Sequence, residues 1–143
     1  MQSKNDLKII ETSGAVVFNG GNVLLVRHEK DSRQELGVYG LPAGRIEEGE
    51  RAIDTALREL FEETGLIAKI EDLEEIPGER GAWIELKDGR HYCTFNVYLV
   101  RRWTGELRGE EDRVTPFWVP IEKLSEYNML PNVHEVILSA KSL

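Results

Sequence analysis

Gly44-Arg45-Ile46-Glu47-Glu48-Gly49-Glu50-Arg51-Ala52-Ile53-Asp54-Thr55-Ala56-Leu57-Arg58-Glu59-Leu60-Phe61-Glu62-Glu63-Thr64-Gly65-Leu66 runs from a glycine-bounded loop into a charged segment with a single clear period. Ile53, Ala56, Leu57, Leu60, Phe61 and Thr64 recur at the i, i+3, i+4, i+7, i+8 spacing of an amphipathic helix, which predicts a helix over Arg51 to Thr64. Gly65 supplies its C-terminal stop. At about 100° per residue, Glu59, Glu62 and Glu63 fall within an arc of about 100° away from the apolar stripe, so three carboxylates share one face. Like charges at i, i+3 and i, i+4 cost a few tenths of a kcal/mol each, and Arg58, four residues before Glu62, offsets one of them.

A solvated acidic face is the ordinary account of such a helix. Here, however, residues 44 to 66 hold seven acidic and three basic side chains, which is half of the chain's net charge of -8. Clustered carboxylate oxygens suit hard cations such as Mg²⁺ or Mn²⁺. No Cys/His set has zinc-ligand spacing, and the alternating Asp/Asn pattern of a calcium loop is absent.

Outward from this segment, the chain reads as strands. Leu7 to Phe18 is rich in Ile, Val and Thr, and Asn19-Gly20-Gly21-Asn22 turns it into a second strand at Val23 to Val26. Lys30 to Gly40 is polar and without period, hence a loop. Leu66 to Ile76, Ala82 to Leu86 and His91 to Arg101 have strand composition, the last two joined by a hairpin at Lys87-Asp88-Gly89-Arg90. Val114 to Pro120, with Pro116 inside it, reads as an edge strand. A short helix over Ile121 to Tyr127 and a second containing Val133, Val136, Ile137 and Ala140 close the chain. The order predicts an α/β domain, a mixed sheet with antiparallel hairpins covered by helices, over residues 1–143.

Composition narrows the function. With 143 residues, 41% apolar and 31% charged, the chain is of one-domain size and ordinary globular usage. Its 26 acidic against 18 basic residues argue against a long nucleic-acid partner bound through a basic surface. No apolar run approaches the roughly 20 residues that span a bilayer, and the first ten residues lack a signal peptide's apolar core. The lone Cys93 sits in an apolar stretch and reads as core in a reducing compartment, so a cytoplasmic protein is expected. A homodimer is left open.

Gly44, five residues, Glu50, seven residues, Arg58-Glu59-Leu60, one residue, Glu62-Glu63, one residue and Gly65-Leu66 together match the signature of the Nudix hydrolases at every fixed position. Seven specified residues at roughly 7% usage each would match by chance about once in a million such chains, so the signal is specific. The resemblance implies an α/β/α sandwich and a divalent cation, Mg²⁺ or Mn²⁺, held against a nucleotide diphosphate. It implies that Glu59, Glu62 and Glu63 are metal ligands, or for one of them the base that activates water, with the Ala43 carbonyl as a further ligand. Arg58 would orient the carboxylates, Gly44 and Gly65 would shape the turns, and Glu50 would brace the motif or bind an outer metal. Leu60 and Leu66 would face the core. The chemistry agrees: hydrolysing a phosphoanhydride requires hydroxide at a phosphorus shielded by anionic oxygens, and carboxylate-held cations supply both charge and hydroxide.

The run from His91 to Glu106, then Gly109-Glu110-Glu111 and Trp118, is similar to the MutT-type enzymes of the family, which release pyrophosphate from nucleoside triphosphates, oxidised guanine nucleotides included. On that likeness Glu111 is a further metal ligand; on composition it is one acid in a solvated loop. Asn132 is similarly placed to a base-reading asparagine, with donor and acceptor to offer a purine edge, and equally suits a helix N-cap. Arg27 is a candidate phosphate contact or a surface charge, and Tyr39 a candidate stacking partner for a base or a packing residue. His28, His91 and His134 read as structural or surface residues. Leu41-Pro42-Ala43-Gly44 is frequent in ADP-ribose pyrophosphatases, but their proline beyond the signature is missing, since position 81 is Gly. Two rivals therefore stand beside the triphosphate reading: a hydrolase of ADP-ribose or another nucleoside-diphosphate sugar, and a non-catalytic ligand sensor.

Overall fold

The computed structural model describes residues 9–29, 37–86, 89–110 and 113–143. Among these residues eight strands form one mixed sheet: β1 (Ile9–Asn19), β2 (Asn22–His28), β3 (Tyr39–Gly40), β4 (Ala43–Arg45), β5 (Leu73–Glu75), β6 (Gly81–Leu86), β7 (Gly89–Val100) and β8 (Val114–Pro120). Its backbone is the parallel pairing of β1 with β7, from Ile9↔Tyr92 to Val17↔Val100. All other ladders are antiparallel. Two helices, α1 (Ala52–Thr64) and α2 (Val133–Lys141), cover it.

The apolar runs in β1 and β2 lack alternation because both of their faces are covered. Val16, Val23 and Leu25 point into the cluster that holds Val136 and Ile137 of α2, whereas Ala15, Val17 and Leu24 point into the cluster that holds Leu60 of α1 and Leu66. Helices on opposite faces of one sheet make the expected α/β/α sandwich. Leu60 and Leu66 are buried as the signature implies.

The hairpin at Gly20 forms, with Asn19 opposite Asn22 and φ 61° at the glycine. Gly65 ends α1 in the left-handed region at φ 81°, and its N–H donates to the Phe61 carbonyl at 2.9 Å. Pro116 sits in β8, whose ladder partner is β2, so the edge assignment agrees with the structure. Cys93 is buried.

Four expectations are corrected. Leu66 to Ile76 is not one strand: the Asp72 carboxylate accepts the Lys69 N–H, residues 70–72 wind into a 3-10 turn, and Leu73–Glu75 alone pairs with β7. Phe61 is not in the buried stripe but 44% exposed, its ring covered by the Arg108 guanidinium at 4.8 Å. Ile121 to Tyr127 is a 3-10 helix over Ile121–Glu126. In the loop assigned to Lys30 to Gly40, Tyr39–Gly40 pairs with β2, while 30–36 lie outside the described residues, as do 7–8 of the first strand and 87–88 of the hairpin turn. Among the described residues no helix is long and apolar enough to cross a membrane.

Candidate active site

β4 delivers Ala43 and Gly44 to the face of α1 that carries the glutamates. The register Gly14↔Ala43 and Ser13↔Gly44 fixes β4 against β1, and the Ser13 hydroxyl donates to the Ala52 carbonyl at 2.6 Å, tying the start of α1 to the same strand. At this crossing, a methyl group on Gly44 would overlap the Glu59 carboxylate and displace it, so the glycine lets that side chain lie against the strand. The neighbouring Ala43 N–H donates to Glu63 Oε1 at 2.8 Å.

Sharing a helical face therefore does not mean sharing solvent. Glu63 is 6% exposed and the Glu59 side chain 14%, whereas Glu62 remains 43% exposed. Burial pushes the Glu63 carboxyl well above the ordinary glutamate range, and the nearby Glu59 charge adds to it. Burial likewise raises Glu59 to about 7, against the opposing pull of Arg58.

Arg58 organises the remainder. Nε and Nη2 grip the two Glu50 oxygens at 2.7 and 3.0 Å, Nη1 reaches Glu59 at 2.8 Å and Glu62 at 3.2 Å, and Nη2 also donates to the Arg45 carbonyl at 3.1 Å. Glu50 in turn accepts the Glu47 N–H at 3.0 Å and the Thr55 hydroxyl at 2.8 Å. The Arg58 bonds hold its carboxyl down to about 2. Both Glu50 oxygens thus fasten the loop before α1 to the helix.

Sequence reasoning passed over Glu110 and Arg113. An isolated bridge, Glu110↔Val114, and the antiparallel pairing of β8 with β2 bring this loop to the glutamates. The Glu110 charge raises both Glu59 and Glu63, and Arg113 partly offsets Glu63. No local period announces either residue, because the pairing of β8 with β2 is long-range. Glu111, the acid expected here, lies outside the described residues.

Glu59, Glu63 and Arg113 open onto a cavity of about 500 Å³, which Glu50, Arg58, Glu62 and Glu110 do not line. Gly44, Arg45, Glu59, Glu63 and Arg113 line its polar part; Ile10, Ile84, Cys93, Phe95, Leu130 and Val133 line its apolar part. Asn132 lines it too. This residue occupies the N-cap position of α2 at φ 71°, a conformation asparagine tolerates, but its side chain does not cap the helix: Nδ2 donates to the Gly81 carbonyl at 3.3 Å. His28, read as structural, also lines the cavity, with burial lowering its imidazole to about 4. Arg27 and Tyr39 are not among the lining residues. Arg27 pairs with Glu29 at 2.6 Å and lies 4.9 Å over the Phe117 ring, and Tyr39 packs edge-on against Tyr127.

The donors fit a hard divalent cation. Glu59 and Glu63, desolvated and mutually repelling with Glu110 facing them, form an oxygen-rich site short of positive charge. Among the described residues, no three Asp, Glu, His or Cys side chains already converge on one point, since Glu59 is drawn to Arg58 and Glu63 to Ala43. Binding would turn the Glu59 carboxylate from its guanidinium.

A pH dependence follows. Raised carboxyls make the folded state bind more protons than the unfolded, so stability falls as pH rises from the ordinary glutamate value through the folded one. Between 4 and 6.5 the depressed His28 acts oppositely, because the unfolded imidazole takes the proton. The clean window lies above about 6.5, where His28 no longer contributes. In chelator, the melting temperature should fall by a few °C from pH 6.5 to pH 8. Mg²⁺ should raise it more at pH 8 than at pH 6, since ligands must be deprotonated. A flat profile, or equal Mg²⁺ stabilisation at both pH values, would contradict the buried-carboxyl account.

The NUDIX domain family model matches residues 9–140. An RNA pyrophosphohydrolase of Dinoroseobacter shibae is 36% identical over 101 residues, which cover 70% of this chain and 56% of that protein. A putative mutator protein MutT4 of Mycobacterium tuberculosis is 39% identical over 88 residues, covering 61% of this chain and 34% of that protein. The chain thus spans between a third and just over half the length of these curated relatives. The crystal structure of the MutT protein from Methanosarcina mazei Go1 superposes with a TM-score of 0.76 at 18% identity over 96% of each chain, a likeness of fold. With the signature intact and the family match running through nearly every described element, the chain belongs to the Nudix family and is MutT-like.

Proposed function

We propose that this chain is a divalent-cation-dependent pyrophosphohydrolase that cleaves a nucleoside triphosphate to a nucleoside monophosphate and pyrophosphate. The observation that carries the reading is the pairing, in one cavity, of the desolvated Glu59 and Glu63 with apolar walls and Asn132. Glu59, Glu62 and Glu63 would hold the cation, with the Ala43 carbonyl and Glu110 as supporting oxygens; Mg²⁺ is the expected ion and Mn²⁺ an acceptable one. When bound, such a cation would neutralise phosphate charge and lower the pKa of water. Arg58 and Glu50 keep the carboxylates in place. Water adds to phosphorus, one P–O–P bond breaks with pyrophosphate leaving, and a glutamate of the cluster takes the water's proton. The apolar walls receive the nucleoside and Asn132 reads the base edge, for which an oxidised guanine is one candidate.

The same bond exists at a triphosphorylated RNA 5′ end, and the relative named RNA pyrophosphohydrolase favours that second reading. The net charge of -8 weighs against it. Incubation with Mg²⁺ and a panel of nucleoside triphosphates, oxidised dGTP, ADP-ribose, dinucleoside polyphosphates and 5′-triphosphate RNA decides among them. Pyrophosphate and monophosphate from a free triphosphate are expected, lost in Glu62→Gln. Cleavage of ADP-ribose alone would move the substrate to the sugar nucleotides. RNA cleavage without free-nucleotide cleavage would select the second reading, and binding without turnover would leave a ligand sensor.

A further inference from the structure

We propose that Arg113 is a phosphate-binding residue of this cavity, its guanidinium meeting the phosphoryl oxygens of the substrate beside Glu59 and Glu63. The assignment rests on the pyrophosphohydrolase reading and adds a residue that the signature does not contain.

Among the described residues two arginines line this cavity, Arg45 on β4 and Arg113. Arg113 is the one whose charge acts on Glu63 and which pairs with Glu110, while Arg58, Arg27 and Arg51 are engaged elsewhere. All five N–H groups of Arg58 are used by Glu50, Glu59, Glu62 and the Arg45 carbonyl. Arg27 is held by Glu29 and the Phe117 ring, and Arg51 is bidentate on Asp54 at 2.9 and 3.0 Å. Arg113 differs. Among the described residues its ion-pair partner is Glu110 Oε1 at 3.7 Å, well beyond the roughly 2.7–2.9 Å of a charge-assisted hydrogen bond, and its side chain is half exposed while lining the cavity.

The main chain of Arg113 is firmly placed. Its carbonyl accepts the Glu29 N–H at 2.7 Å, its N–H donates to the Glu110 carbonyl at 3.1 Å, and the next residue, Val114, pairs with His28. A fixed Cα with a guanidinium that, among the described residues, is paired at 3.7 Å suits a side chain that receives an anion. The charges it faces are Glu63 and Glu110, the acids assigned to the cation. Once those carboxylates are engaged, Arg113 loses their attraction, and a polyphosphate brings the negative charge in their place. The planar fork matches two phosphoryl oxygens at once, which a lysine cannot reproduce.

The test is calorimetric titration of a nucleoside triphosphate whose α,β bridging oxygen is replaced by methylene, which binds without being cleaved. Wild type, R113A and R113K are compared in Mg²⁺, with Mn²⁺ alone titrated into each as a separate measurement. R113A should weaken the analogue about tenfold to a hundredfold. R113K should recover part of that loss, and Mn²⁺ affinity should stay within about twofold in all three. R113A binding the analogue as tightly as the wild type would overturn the assignment, as would a Mn²⁺ loss large enough to account for the whole effect. A wild type that binds no triphosphate analogue would instead overturn the underlying reading, and the assignment with it.

Discussion

Glu63→Gln should reduce hydrolysis by at least about 10³-fold while leaving the protein as stable as the wild type, or more so. Few single changes separate function from fold so sharply, and the reason is local. Glu63 is 6% exposed and its carboxyl is held well above the ordinary range, so near neutrality the fold carries a group it would hold more cheaply neutral. Glutamine keeps the shape and presents Oε1 to the Ala43 N–H, preserving the 2.8 Å bond. What it removes is the negative charge that a divalent cation needs. Thermal melts in chelator at pH 8 should show Glu63→Gln at or above the wild type. Glu63→Ala, which leaves the Ala43 N–H unpaired, should melt lower by about 1–3 kcal/mol of stability. A glutamine variant that retained a tenth of the activity would remove Glu63 from the cation site. One that melted like the alanine variant would make its role structural.

The contrast between Glu63 and Glu62 also shows where sequence reading stops. Helical arithmetic places Glu59, Glu62 and Glu63 on one face, and α1 and its stop at Gly65 were readable because both rest on local rules, a 3.6-residue period and a left-handed terminus. The apolar runs of β1 and β2 were readable for the same reason. Which glutamates are desolvated is not local: it is decided by β4 crossing α1 at Gly44, where absence of a side chain lets the Glu59 carboxylate approach. Glu110 and Arg113 were missed because the pairing of β8 with the distant β2 places them. The segment after Gly65 misled in the opposite sense. Its apolar composition suits a strand, but the Asp72 side chain accepts the Lys69 N–H and, with Arg102 at 3.1 Å, holds a turn. Asn132 is intermediate, since its placement at the head of α2 was legible while the bond from its side chain to Gly81 needed the fold.

Arg58→Ala should cost about 3 kcal/mol, a fall of roughly 10 °C in melting temperature for a chain of this size, together with most of the activity. The pair it breaks is not an ordinary surface salt bridge. Arg58 is 25% exposed, Glu50 19% and Glu59 14%, and the guanidinium satisfies both Glu50 oxygens as well as one of Glu59. Removing it leaves two half-desolvated carboxylates in mutual range and frees the Arg45 carbonyl, so the loop before α1 loses its fastening to the helix. Arg58→Lys keeps the charge but reaches one carboxylate at a time, and should fall between the two. Arg101→Ala is the control, because Arg101 and Glu74 pair at 2.7 Å with both side chains nearly half exposed, and such pairs are worth about 0–1 kcal/mol. Because Arg58 positions the glutamates and touches no reacting atom, Arg58→Ala should weaken Mn²⁺ binding as well as turnover. Arg58→Lys should restore Mn²⁺ affinity before it restores the melting temperature. A melting temperature for Arg58→Ala within about 2 °C of the wild type would show that Glu50, Glu59 and Glu62 hold their places without it.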